Sequence, residues 1–168
     1  MSDAFRTPPS TLSEEAFLKL YGGVYEHSPH FAAEVWHNIP HKALDAVDGL
    51  AHALKSAVEA SAHGVQLALI RAHPDLADRI RLSPESVAEQ AGAGLDNCSA
   101  EELAEFGTLN DAYKARFGFP FIKAVRGFTR ADILAEFRRR AGNDADAEFK
   151  TALDEIHKIA VLRLNDLA

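Results

Sequence analysis

The sequence predicts an all-α protein, a single compact multi-helix domain with about seven or eight helices, and three observations point that way. Helix start signals recur along the chain. Apolar residues repeat at helical spacing between them, and no stretch alternates apolar and polar residues over the length of a strand. The 168 residues suit one domain with a sizeable core, and 47% hydrophobic with 26% charged residues is the composition of an ordinary globular chain.

Residues 1–10 are polar, contain proline, and are expected to form a flexible leader ahead of a helical domain over 11–168. Thr11-x-x-Glu14 is the first capping-box pattern, and Gly22-Gly23 marks an irregular stretch after it. Leu44, Val47, Leu50, Leu54 and Val58 then form one stripe of an amphipathic helix. Val65, Leu67, Leu69 and Ile70 belong to a strongly apolar helix expected to be buried. Pro74 disfavours helical geometry at the residue before it, so this helix should end about where His73 begins. Ser83-Pro84 offers an N-cap followed by proline, Ser99-x-x-Glu102 is a second capping box, and Thr129-x-x-Asp132 is a weaker version. Ile133, Leu134 and Phe137 make a short stripe that stops near Gly142. The last segment repeats Phe149, Leu153, Ile156, Ala160 and Leu167 along one face. Residues 91–94 and 118–127 are glycine-bearing and irregular.

Charge and cysteine usage narrow the function. The chain has 18 Lys and Arg against 25 Asp and Glu, a net charge of −7, which argues against binding nucleic acid or an anionic membrane. A lone Cys98 removes disulfide frameworks and thiolate metal clusters. The start has no apolar core like that of a signal peptide, and no apolar run approaches the roughly 18 residues of a membrane span. A cytoplasmic location is expected. The ending LRLNDLA is not a peroxisomal address.

Three places carry polar residues where structure alone does not ask for them. His73, at the end of an apolar helix, can face a cavity at the rim of the core or simply cap the negative end of the helix dipole. Ser86, Glu89 and Gln90 share one face of a helix, presenting a hydroxyl, a carboxylate and an amide suited to a small polar molecule, or merely a solvated surface. Arg163 interrupts the last apolar stripe. There a guanidinium must snorkel out, bind an anionic ligand, or meet an internal partner such as Glu89. Other candidates are weaker. His27-x-x-His30 and His37-x-x-x-His41 enclose Pro29 and Pro40 and lack an acidic third ligand at motif spacing, so no metal site is expected. Cys98 has no base motif beside it, and residues 91–95 lack the Lys-Ser/Thr of a phosphate loop.

An ordered set of motifs resembles the 2-oxo-4-hydroxy-4-carboxy-5-ureidoimidazoline (OHCU) decarboxylase family. In chain order they are Tyr21-Gly22-Gly23-Val24-Tyr25-Glu26; Ala72-His73-Pro74-Asp75-Leu76-Ala77; Ser86-x-x-Glu89-Gln90 with Ala93-Gly94-Leu95; Leu109-Asn110-x-x-Tyr113-Lys114-x-Arg116-Phe117-Gly118-Phe119-Pro120-Phe121; and Glu155-Ile156-x-Lys158-Ile159-Ala160-x-Leu162-Arg163-Leu164. The resemblance implies an all-helical fold, a homodimer, and a cofactor-free site that converts this substrate to (S)-allantoin, the last step from urate. It implies His73 and Glu89 as the catalytic pair. It implies substrate contacts at Pro74, at Ser86, Val87, Ala88 and Gln90, at Phe121, Ile122, Lys123, Ala124 and Val125 through the main chain, and at Arg163. Lys123 stands where relatives are often apolar, which leaves its side chain without an assigned role, and the peroxisomal tail of many animal members is absent. A non-catalytic binding module of the same fold, or a decarboxylase of a related ureido acid, is the competing expectation.

Overall fold

The computed structural model describes residues 3–76 and 99–168. The expected helix start at Ser83-Pro84, the polar face of Ser86, Val87, Ala88, Glu89 and Gln90, the 91–94 stretch and Cys98 lie outside them. Seven α-helices occur among the described residues: α1 Glu14–Tyr21, α2 His30–Asn38, α3 Val47–Ala60, α4 His63–Arg71, α5 Ala100–Phe117, α6 Arg130–Arg140 and α7 Ala145–Leu167. Contacts gather them into two compact units. One is the chain as far as Ala72 together with His157–Ala168, and the other is His73–Ile156.

In the first unit, α1 starts two residues later than the Thr11 pattern suggests. Ser13 is the N-cap, its hydroxyl accepting from the Ala16 N–H at 3.3 Å. Thr11 instead sits in a 3-10 turn, Pro9–Thr11, where its hydroxyl donates to the Pro8 carbonyl. Prolines at 8 and 9 favour that tight turn over a helical start. The expected stripe of α3 is buried at Val47, Leu50, Leu54 and Val58, while Leu44 is buried from a 3-10 turn, His41–Leu44, ahead of the helix. Helix α4 ends at Arg71, ahead of His73-Pro74 as expected. It is less buried than its composition suggests: Leu69 and Ile70 are enclosed, but Val65 is 38% exposed.

The leader expected to be flexible is attached from Asp3 onward. The Val47 N–H donates to the Asp3 carbonyl at 3.0 Å and the Phe5 N–H to the Asp45 carbonyl at 3.3 Å. Phe5 is buried edge-on against Tyr21. Arg6 donates through Nε to the carbonyl of Ala168 at 2.8 Å and through Nη2 to that of Asp166 at 2.7 Å. A buried aromatic and a two-pronged guanidinium outweigh the polar composition from which disorder is expected.

The second unit is organised around aromatic rings and one ion pair. Ser99 and Glu102 form both arms of the capping box that opens α5, and Gly118, at φ 78°, closes the helix in the left-handed region that favours glycine. Thr129 and Asp132 make an equally complete box for α6. Phe121 stacks on Phe137 with ring centroids 3.9 Å apart, and Tyr113 stands edge-on to both. Arg140, fully buried on α6, lies 4.3 Å above the Phe121 ring and pairs with Glu148 on α7 at 3.1 Å. Glu148 also accepts from the Tyr113 hydroxyl and, at 2.9 Å, from Asn143 Nδ2. Burial, followed by the Glu148 carboxylate, pushes the Tyr113 phenol well above the usual tyrosine range, so it remains a donor.

The face that α7 buries differs from the expected one. Phe149, Leu153 and Leu167 are only partly covered, whereas Glu148, Ala152, Glu155, Ile156, Ile159, Ala160, Arg163 and Leu164 are buried. The inward line carries three charges, and an apolar count selects a neighbouring row of the helix.

Replacing Arg140 with Met strands a buried carboxylate. It should lower the free energy of unfolding by roughly 3–5 kcal/mol, read by urea denaturation. Tyr21, whose hydroxyl donates to the Thr7 carbonyl at 2.7 Å, has its pKa raised to about 12 by burial and by the Asp45 carboxylate. A pKa raised on folding gives stability that is complete below the unfolded tyrosine value of about 10. That contribution should vanish as the pH climbs through about 12, and Tyr21→Phe should abolish this part of the alkaline loss in denaturant titrations.

Candidate active site

His73 leaves α4 at the turn imposed by Pro74 and is 8% exposed. The turn is pinned by two side chains one helical turn apart on α5. Asn110 Nδ2 donates to the Leu76 carbonyl at 3.0 Å, and Lys114 Nζ lies 2.5 Å from Asp75 Oδ2. Asn110 Oδ1 is buried without a hydrogen-bond partner among the described residues, beside a cleft of about 200 Å³ lined in part by Asp75, Leu76 and Phe106. Asn110 and Lys114 belong to a motif read in the sequence only as a family signature, and their reach to the His73 turn is not visible there.

Residues 119–125 are all buried and follow no helix or strand. Their main chain is met by side chains: Arg140 Nη1 donates to the Ile122 carbonyl at 2.6 Å, and Glu155 Oε2 accepts from the Ala124 N–H at 2.9 Å. The Val125 carbonyl accepts from the Phe128 N–H at 3.0 Å. The Lys123 side chain pairs with Glu136 at 2.9 Å, and its Nζ lies 3.8 Å from the centre of the Phe128 ring. Together the Lys123 hydrogen bond and charge and the Arg140 and Arg139 charges hold Glu136 below the usual glutamate range, against the upward push of partial burial. The departure noted at Lys123 is therefore an anchor for this segment.

Arg163, on α7 in the first unit, is 5% exposed and pairs with Glu26, while Glu89, the partner suggested from the sequence, lies outside the described residues. Its Nη2 lies 3.0 Å from Glu26 Oε2, with Nη1 donating to the carbonyls of Gly23 and Val24 at 3.4 Å. The Glu26 side chain is 1% exposed, so the pair is removed from water as a unit. Next to it in sequence, Tyr25 is hydrogen-bonded to His157 Nδ1 at 2.8 Å. Burial, with the Glu59 carboxylate beside it, drives the Tyr25 phenol well above its usual range. Glu26 went unassigned as a residue in the sequence; the signal was a carboxylate placed among apolar neighbours in Val24-Tyr25-Glu26.

His73, Pro74 and residues 121–125 thus fall in one unit and Arg163 in the other. The paired histidines have other engagements: His37 with Glu14 at 2.9 Å, His41 stacked on Trp36, His30 against Phe31, and His27 exposed at φ 46°. Among the described residues no group of three His, Cys, Asp or Glu side chains could hold a metal ion, and no helix is long and apolar enough to cross a membrane.

Each unit thus buries polar side chains of its own: a histidine at a proline turn and a non-helical segment held by charged side chains in one, and an arginine paired with a glutamate in the other. The sequence model of the family described as OHCU decarboxylase matches residues 10–165, and the chain belongs to that family. A 2-oxo-4-hydroxy-4-carboxy-5-ureidoimidazoline decarboxylase of Haloferax volcanii is 43% identical over 153 residues, 91% of this chain and 89% of the relative. A crystal structure of (S)-allantoin synthase superposes with a TM-score of 0.76 at 31% identity, over 94% of this chain and 51% of that one. A crystal structure of OHCU decarboxylase in the presence of (S)-allantoin gives a TM-score of 0.70 at 25% identity, over 92% of this chain and 98% of that one.

Truncating either member of the Arg163–Glu26 pair should cost roughly 3–5 kcal/mol of folding free energy, because the other charge stays buried. Arg163→Met combined with Glu26→Gln should cost clearly less than the sum of the two, a coupling that a double-mutant cycle in urea measures.

Proposed function

We propose that this chain decarboxylates 2-oxo-4-hydroxy-4-carboxy-5-ureidoimidazoline to (S)-allantoin, the closing step of urate degradation. The family match over residues 10–165 carries this reading, supported by a decarboxylase relative of which the chain covers 89%.

The substrate bears a carboxylate and a hydroxyl on one ring carbon, next to a C=N bond. As CO₂ departs, the bonding pair forms a C=C bond to the neighbouring ring carbon, and the C=N pair moves onto nitrogen. The substrate is its own electron sink, which is the reason for reading the enzyme as a carboxy-lyase that needs no cofactor. The protein's task is then to hold the carboxylate out of the ring plane, stabilise the developing charge, and deliver a proton to one face of a flat intermediate. That delivery sets the configuration of allantoin.

His73 is the proton donor in this reading, since an imidazole both gives and takes a proton near neutral pH. Its burial favours the role, by limiting exchange with bulk water. Glu89 either orients His73 or accepts the hydroxyl proton. Ser86 and Gln90, with the main chain of Val87 and Ala88, fix the ring and ureido groups, and Pro74 lines the site. Arg163 neutralises substrate charge. Residues 121–125 contribute peptide groups, consistent with a buried segment outside any helix or strand. The active form is a homodimer in the cytoplasm, acting on a free small molecule without nucleic acid or membrane.

Purified protein added to substrate freshly generated from urate should speed its ultraviolet decay and yield dextrorotatory allantoin. Binding of (S)-allantoin without turnover would select the non-catalytic module, and decay of a different ureido acid alone would select the related decarboxylase. His73→Ala should keep its helical circular dichroism and lose at least ~100-fold in turnover.

A further inference from the structure

Three of the four residues from 23 to 26 take hold of Arg163. Its Nη2 lies 3.0 Å from Glu26 Oε2, and its Nη1 is shared between the carbonyls of Gly23 and Val24, each at 3.4 Å. Both of those hydrogen bonds are long, so neither carbonyl orients the guanidinium alone, and its direction depends on where the whole stretch sits. Tyr25, inside the stretch, reaches a second point on the same helix. Its Oη lies 2.8 Å from His157 Nδ1, and the two rings meet edge-on with centroids 5.9 Å apart. His157 precedes Arg163 by six residues of α7, about 9 Å along the helix axis. The stretch is therefore tied to α7 at two levels.

The upper tie has one chemical sense. Tyr25 is 3% exposed, and His157 Nδ1 is the one hydrogen-bond partner of its hydroxyl among the described residues. A buried O–H has to donate, and burial together with the Glu59 carboxylate keeps this phenol protonated. The phenol therefore donates and Nδ1 accepts, which leaves the ring proton on Nε2, 3.9 Å from Glu59 Oε1. The stretch is also tied to itself. The Val24 N–H donates to the Tyr21 carbonyl at 3.2 Å, the Ser28 N–H to the Tyr25 carbonyl at 3.1 Å, and the Ser28 hydroxyl to the Glu26 carbonyl at 2.8 Å. Between them His27 stands at φ 46°, a left-handed conformation uncommon for a residue with a side chain. A backbone cross-linked in this way moves as one piece, so a shift at Tyr25 reaches the carbonyls of 23 and 24 and the carboxylate of 26.

We propose that Tyr25 is a positioning residue for Arg163. Through its hydroxyl on His157 it locks residues 23–26 to α7, and so sets the direction in which the Arg163 guanidinium meets the charge of the substrate. The inference rests on the reading of Arg163 as a substrate-binding residue.

Tyr25→Phe keeps the ring and its packing on Phe31 and removes only the hydroxyl. Steady-state kinetics and calorimetric titration with (S)-allantoin, run on wild type, Y25F, R163K and the double variant, test the proposal. Y25F should raise KM and the allantoin Kd about five-fold, with kcat changed less than about two-fold. R163K should raise both about ten-fold or more, because an ammonium does not reproduce the planar fork of a guanidinium. The double variant should match R163K within about two-fold, since no guanidinium remains to be positioned. A purely structural role would lower the melting temperature of Y25F and leave KM and Kd of the folded protein unmoved. Wild-type KM in a folded Y25F overturns the proposal, and so does a five-fold effect that persists in the R163K background. If R163K loses its helical circular dichroism, Y25F decides alone, with a raised KM expected and an unchanged one overturning. Wild-type KM in R163K, beside a wild type that turns over substrate, removes Arg163 from binding and this proposal with it while the decarboxylase reading stands. A wild-type protein that neither turns over substrate nor binds (S)-allantoin overturns the functional reading as well.

Discussion

A guanidinium taken out of water must bring its counter-charge with it, and this protein meets that demand twice. Arg140 is enclosed with Glu148, and Arg163 with Glu26. In each case one partner sits on α7, the helix whose inward line also carries Glu155. Both arginines also donate to main-chain carbonyls, Ile122 for the first and Gly23 and Val24 for the second. Arg140, Arg163 and Glu148 sit on helices and Glu26 in the irregular stretch after α1, and irregular segments supply the carbonyls that both guanidinium groups meet. This division explains why so much of the polar chemistry lies where regular structure stops: a helix consumes its own peptide groups, and only a non-helical stretch has any left for a side chain or a ligand.

Much of the fold was legible because its signals are local. Ser99 with Glu102, and Thr129 with Asp132, open helices by satisfying N–H groups three residues away, and Pro74 ends α4 through a clash with its immediate neighbour. The misjudged features depend on partners distant in sequence. The leader reads as unattached because nothing in residues 1–10 announces that Arg6 meets the carbonyls of Asp166 and Ala168. An apolar count runs the α7 stripe through Phe149 and Leu153 because it skips Glu148 and Glu155, buried charges that meet Arg140, Tyr113 and a peptide N–H. Thr11 matched a capping box in letters, yet the prolines before it had already committed the chain to a 3-10 turn.

The site was legible in part, and for a different reason. His73 stood out by its place before proline and Arg163 by its place on an apolar row, and both are buried. Their supports are harder to see: Asn110 and Lys114 have ordinary surroundings in the sequence, and Glu26 is marked only by the apolar residues before it. Lys123 was the one residue whose departure from the family pattern raised a question. Its ammonium turns to Glu136 and Phe128, so the departure anchors the segment.

The quartet Tyr113, Arg140, Asn143 and Glu148 has a bearing on how this sequence can drift. Tyr113, Arg140 and Asn143 all converge on the Glu148 carboxylate, so a change at one position leaves buried polar atoms unsatisfied until a second compensates. A well-packed apolar set of the same volume is about as stable as a buried ion pair. Lineages are accordingly expected to keep all four or to have exchanged them together, which makes these columns of an alignment vary as a block.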